Sequence, residues 1–237
     1  MARDVRIAII DSGVNSGHPH IASVSGGVAV RAGPCYDTLP EAYVDVLGHG
    51  TAVMAAIQEK APRAQYFAVK LFHNTLSAKV SELSAAMEWS IEHEMDVINL
   101  SLGTPDLRHA EKLQSLVEQA AKRGIVIVSA RKSNGRRYFP GALPRVISVE
   151  VDWNCDRNSY WVQQTIDGPL FYASGYPRPL PEVPLKRNLH GISFAVANMT
   201  GFVARACELY AQRSPEAICD VLISESEHLS RSNPSSR

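Results

Sequence analysis

Short, nearly unbroken apolar runs recur along the chain, with longer amphipathic stretches between them. VRIAII (5–10), AQYFAVKLF (64–72), DVINLSL (96–102), GIVIVSA (124–130) and RVISVEV (145–151) each read as a strand. Runs this continuous suit a sheet covered on both faces, because a half-exposed strand alternates apolar with polar residues. Between them, Val80, Leu83, Met87 and Ile91 fall on one face of a helix over 79–93. Ala110, Leu113, Val117 and Ala120 do the same over 106–123. Thr104, Pro105 and Asp106 offer that helix a cap and a first-turn proline, and Gly124 offers a stop. Strand–helix–strand repetition implies right-handed crossovers. The predicted fold class is α/β: a three-layer, doubly wound, mostly parallel sheet with helices on both faces.

Beyond about residue 153 the helical period stops. SYWVQQTI and PLFYAS around DGP predict a β-hairpin near 158–174, and GYPRPLPEVP (175–184) reads as a proline-rich loop. A long helix is expected over 193–211. From 224 the sequence SESEHLSRSNPSSR is polar. One folded unit over 1–223 with a disordered tail over 224–237 is the expectation.

Composition narrows the partners. Hydrophobic residues make up 45% and charged residues 20% of 237, ordinary for a chain with a real core. Lys+Arg and Asp+Glu are both 24, so net charge gives no reason to expect nucleic acid or an anionic membrane. No apolar run approaches the ~20 residues that span a bilayer. The start, MARDVRIAIID, enters a strand with no signal-like apolar core, so a cytoplasmic protein is expected. Cysteines 35, 155, 207 and 219 form no C-x-x-C pair, and no spacing suggests a zinc site. No cofactor or metal is expected; His18 and His20 in GHPH could ligate one but read more simply as loop residues.

In a doubly wound sheet, functional groups gather beyond the carboxyl ends of the strands. Asp11 follows the first predicted strand, Ser101 and Gly103 close another, and 129–135 follow a third. His49 and Ser193 open helices. Taken singly, each has a plain reading: Asp11 capping a turn, His49 and Ser193 starting helices. A serine at a helix start becomes reactive only with a base beside it and a group to orient that base. The first-turn N–H groups and the positive helix end also suit a developing oxyanion.

Four segments together resemble a known family. AIIDSGVNSGHP (8–19), GHGTAVMAAI (48–57), VINLSLG (97–103) and GISFAVA (191–197) are similar to the subtilisin-like serine proteases, or subtilases, over about residues 5–215. The resemblance implies a triad in the family order: Asp11 orienting His49, His49 as base, Ser193 as nucleophile. It implies that Ser101, Leu102 and Gly103 pair with an extended peptide or protein substrate and wall one side of the specificity pocket. Ser129, Ala130 and Arg131 would wall the other.

The match has departures. The family's oxyanion-hole asparagine falls on Ser133 counting from Gly124, or on Asn134 counting back from Gly135; Asn134 is the preferred assignment. Arg131 and Lys132 stand where the family has small residues, with Arg136 and Arg137 close behind. They either turn to solvent or bias the pocket toward acidic residues; a nucleic-acid role lacks an interleaved aromatic platform. Ala52 and Ala197 stand where the family often has His and Pro. Family members often bind structural calcium, but no clustered Asp/Asn loop supports that here. The expected activity is peptide-bond hydrolysis with narrow substrate choice, such as leader removal from one peptide; a weakly active peptide-binding module is the alternative.

Overall fold

Along the first strand, β1 (Arg6–Asp11), Ile7 and Ile9 enter one apolar layer while Ala8 and Ile10 enter the other. The two-residue period of a strand makes this partition, and it explains why the run has no polar face to expose. The structure, a computed structural model, describes residues 4–31, 35–133, 135–210 and 214–232. After β1 come β2 (Gly26–Arg31), β3 (Cys35–Asp37), α1 (His49–Gln58), β4 (Gln65–Lys70), α2 (Val80–Glu92) and β5 (Val97–Leu100). Next are α3 (Ala110–Lys122), β6 (Val126–Ala130), the short pair β7 (Lys132–Ser133) and β8 (Arg136–Arg137), and β9 (Val146–Val151). A hairpin of β10 (Tyr160–Thr165) and β11 (Gly168–Ala173) precedes α4 (Ile192–Leu209) and α5 (Pro215–Ser232).

Nine strands form one sheet in the order β10-β11-β9-β6-β5-β1-β4-β2-β3. Every pairing between β2 and β11 across that order is parallel, and only the edge strands β3 and β10 run antiparallel. Residues of α1, α4 and α5 fill one apolar layer and residues of α2 and α3 the other. The α/β, helix-on-both-faces expectation is met. Leu83, Met87 and Ile91 of α2, and Leu113, Val117 and Ala120 of α3, are buried. Gly124, at φ +73°, ends α3.

β2 lies outside the strands expected from the sequence; a Cβ on Gly27 would sit 2.5 Å from Ala68 O, so close backbone approach explains the glycine. Three expectations need correction. α3 begins at Ala110, not 106. Asp106 caps a 3-10 turn at Leu107–His109 by accepting from Arg108 N, while Thr104 bridges Phe139 in antiparallel fashion. Lys132–Ser133 and Arg136–Arg137, expected within a loop, pair as the β7–β8 ribbon. Finally, 224–232 is helical rather than disordered. Ile218, Leu222 and Ser226 recur every four residues on the buried face of α5, and Tyr160 Oη donates to Leu222 O at 2.9 Å. That stripe carries the helix through a polar sequence.

Candidate active site

β1 delivers Asp11 to the carboxyl edge of the sheet, fully buried. Its Oδ1 accepts from Ser12 N at 2.8 Å and bonds His49 Nδ1 at 2.7 Å. Nδ1 therefore carries the proton facing Asp11, which leaves Nε2 on the open side of the ring. The imidazole is 12% exposed. Burial works to lower its pKa. The Asp11 hydrogen bond and charge, helped by the charge of Asp45, outweigh burial and hold it above the ordinary 6.5.

A local network sets the start of α1. Asp45 Oδ1 accepts from Leu47 N, Gly48 N and Ser12 Oγ, each at 2.9 Å. Its Oδ2 accepts from Thr51 N at 2.8 Å and Thr51 Oγ1 at 2.6 Å. Ser12 Oγ in turn accepts from Gly50 N at 2.8 Å. Four of these donors are helix-entry N–H groups that the helix itself cannot pair. Gly50 has to be glycine: a Cβ there would collide with Gly13 O. The glycine thus lets α1 lie directly on the turn after β1, which brings His49 to Asp11.

α4 presents Ser193 at its second position, half-buried, after the N-cap Gly191. The ring of Phe194, the next residue, lies 5.5 Å from the imidazole of His49. Ser101 Oγ donates to Ser193 O at 3.4 Å and accepts from Asn99 Nδ2 at 3.1 Å. Asn99 Oδ1 accepts from Thr200 Oγ1 at 2.9 Å, which ties the end of β5 to α4. Among the described residues, no hydrogen bond joins Ser193 Oγ to His49.

Ser101, Leu102 and Gly103 leave β5 half-buried. Thr104 N donates to Phe139 O at 2.9 Å, and Phe139 N donates to Thr104 O at 2.8 Å. A Cβ on Gly103 would lie 2.6 Å from Phe139 O, so this segment packs against the one after β8. Ala130 faces the α1–α4 layer. Ser129, one residue earlier, faces the opposite way and is fully buried with its hydroxyl unpartnered. Asn134 lies outside the described residues, and Ser133 pairs with Arg136 in the ribbon.

Arg136 and Arg137 of the basic cluster are exposed, as the solvent-facing reading expects, but Arg131 is not. Its side chain is 9% exposed and turned away from solvent; NH2 donates to Asp167 Oδ2 at 2.7 Å and NH1 to Thr165 Oγ1 at 3.3 Å. Arg137 lies 3.4 Å from the same carboxylate, and Lys132 lies 3.5 Å from Glu150. Arg131 and Arg137 brace the β10–β11 hairpin through Asp167, and Lys132 reaches β9 through Glu150. Their carboxylate partners stand 18 to 36 positions away in sequence, which hid the pairing from a linear reading. Asp45, Ser12 and Asn99 were missed for the same reason; the one signal was a polar Asn inside the apolar run VINLSL. Among the described residues no group of three or more His, Cys, Asp or Glu could hold a metal ion.

A parallel sheet with an aspartate at the tip of β1, a histidine opening α1 and a serine opening α4 is the subtilisin-like class of α/β fold. Residues 2–167 match the model of the Subtilase family, and the chain belongs to that family. It is 35% identical to Subtilisin E of Bacillus subtilis (strain 168), over 62% of this chain and 40% of that one. The match thus spans well under two thirds of that relative. Subtilisin DY of Bacillus licheniformis is 28% identical over 95% of this chain and 85% of its own. Two solved structures share the fold at 20% identity. One is a cold adapted subtilisin-like serine proteinase, with TM-score 0.70 over 93% of this chain and 81% of that one. The other is a lanthipeptide protease, with TM-score 0.67 over 90% and 77%.

Proposed function

We propose that this chain is a serine endopeptidase acting through Asp11, His49 and Ser193. The observation that carries this reading is the 2.7 Å bond between His49 Nδ1 and a fully buried Asp11, beside the serine-bearing start of α4. Ser193 Oγ attacks the scissile carbonyl while His49 Nε2 takes its proton. Asp11 holds the tautomer and stabilises the imidazolium. The tetrahedral oxyanion is met by the Ser193 N–H at the positive end of α4, with Asn134 as the second donor. Collapse breaks the C–N bond, and His49 returns its proton to the leaving amine. Water then attacks the acyl-enzyme by the same proton path and frees Ser193. The substrate runs extended along Ser101–Gly103, and Ala130 and Ser129 stand behind the pocket wall. Arg131 follows them in the chain, its guanidinium bonded to Asp167 of the β10–β11 hairpin rather than turned into the pocket.

Substrate choice on this reading is narrow, and removal of a leader from one ribosomally made peptide is the role we favour. Family membership and the lanthipeptide protease among the fold neighbours support trying that peptide class first. A second reading, a feeble or inactive subtilase that grips an extended peptide, draws on the missing hydrogen bond between Ser193 and His49. Against it stands the general behaviour of such pairs, which often tighten only with substrate bound. A fluorophosphonate probe separates the two. The enzyme is expected to be labelled at Ser193, with labelling lost in Ser193→Ala and greatly slowed in His49→Ala. Unlabelled wild-type protein sinks the catalytic reading.

A further inference from the structure

A cavity of about 220 Å³ opens between α1 and the 177–189 segment. Gly48, which precedes His49, and Leu189, four residues before Ser193, both stand on its wall. The cavity therefore lies between the residue that opens onto His49 and the segment that leads into α4. Its remaining walls come from the 15–20 segment that follows β1, whereas Ser101–Gly103 follow β5 on the β6 side. With the acyl half of a peptide along 101–103, the leaving half passes Ser193 and His49 toward this cavity. This placement rests on the catalytic reading above.

The lining has two parts. Ala52, Ala55, Leu180 and Leu189 make it apolar, and Asp45 and Arg178 supply the opposite charges. Asp45 is already occupied by five donors. Arg178 is not. Its NH1 reaches His20 O at 3.5 Å and its Nε stands 4.0 Å from Glu59 Oε1, which leaves donors of its five-donor fork unused. Glu59 is also bonded closely by Arg157, and Lys60 Nζ lies 3.7 Å away. Three cations thus crowd one carboxylate, with Asp156 acting on Lys60 as a weaker counter-charge. On the cavity wall, His20 is held below its ordinary pKa first by burial and then by the charges of Arg178 and His18, with Glu59 opposing.

We infer that this cavity takes an acidic side chain from the leaving half of the substrate, its methylenes against Ala52 and Ala55 and its carboxylate on Arg178. An arginine fork suits a carboxylate, and the half-exposed guanidinium gains a partner without being moved from water into a dry site. Arg178 then acts as a specificity residue on the opposite side of the scissile bond from 101–103.

The test reads binding apart from turnover. A positional-scanning library of fluorescein-labelled octapeptides is titrated against Ser193→Ala by anisotropy, followed by pairs matched except for Glu or Gln at the selected position. One position is expected to favour Glu over Gln by roughly tenfold, the size of a charge-assisted hydrogen bond. Arg178→Gln is expected to erase the difference and Arg178→Lys to keep part of it. Equal binding of the matched pairs, a Glu preference that survives Arg178→Gln, or no binding by any library member overturns the inference. The matched pairs decide it without an Arg178 variant, so a misfolded variant does not block the answer. Probe labelling without a Glu preference sinks this inference alone, and a Glu preference without labelling of the wild type sinks the catalytic reading alone.

Discussion

At His49, two opposed effects fix the pH at which the site can work. Burial favours the neutral ring, Asp11 favours the charged one, and Asp11 wins. A general base must be neutral, so kcat/KM should rise with pH through an inflection above 6.5. In Asp11→Asn the opposing carboxylate is gone and burial acts against Asp45 alone. The inflection is then expected at lower pH than in the wild type, with turnover down by roughly 10⁴, as when another triad's carboxylate becomes an amide. Kinetics from pH 5 to 9 on a cleaved peptide check both, and an unmoved inflection would show that Asp11 does not set the base. The three proposed catalytic residues were legible because each sits in a short motif tied to a strand end or helix start. Asp45 was not, because its work is done by hydrogen bonds to Ser12, 33 residues earlier, and to the turn around Gly48 and Thr51.

Elements turn these residues into a site through close approach. Helix α1 lies on the β1 turn because Gly50 has no side chain, so Gly50→Ala must push the two apart. A cost of about 1–3 kcal/mol is expected, the usual penalty for overpacking. Probe labelling should slow as well, because the same shift carries His49 off Asp11. A urea midpoint and a labelling rate read the two effects, and an unchanged labelling rate would mean that α1 moves without His49. The hairpin of β10 and β11 is held differently, by Arg131 on Asp167. Asp167 is 44% exposed, which weakens the pair, so Asp167→Asn should cost only about 1 kcal/mol. The peptide preference should stay the same, since Arg131 is directed at the hairpin. A changed preference would put its guanidinium back in the pocket.

Across the whole molecule, what the sequence revealed follows from how each segment is buried. The central parallel strands lie under helices on both faces, so their apolar runs were unmistakable. β2 was hidden because Gly27 near its start is there for backbone contact with β4, and a pair of glycines does not read as a strand. α5 was hidden past residue 224 because only one residue in four needs to be buried, and at Ser226 that residue is polar. Yet α5 packs beside α4, and Ile218 and Leu222 belong to the same apolar layer as Phe194 and Ala195 at the serine-bearing end of α4. Asp11 and Ser193 come from opposite ends of the chain, and the helix that bears Ser193 is seated through that layer. Leu222→Ala should therefore act on the site although it lies far from it in sequence. Leu222 is fully buried, and its truncation is expected to cost about 2–5 kcal/mol. Probe labelling, far-UV circular dichroism and tryptophan fluorescence should all shift to the same lower urea midpoint if α5 unfolds with the sheet in one transition. A labelling midpoint that stays at the wild-type value while helical signal is lost early would mean that α5 is an appendage rather than a wall of the core.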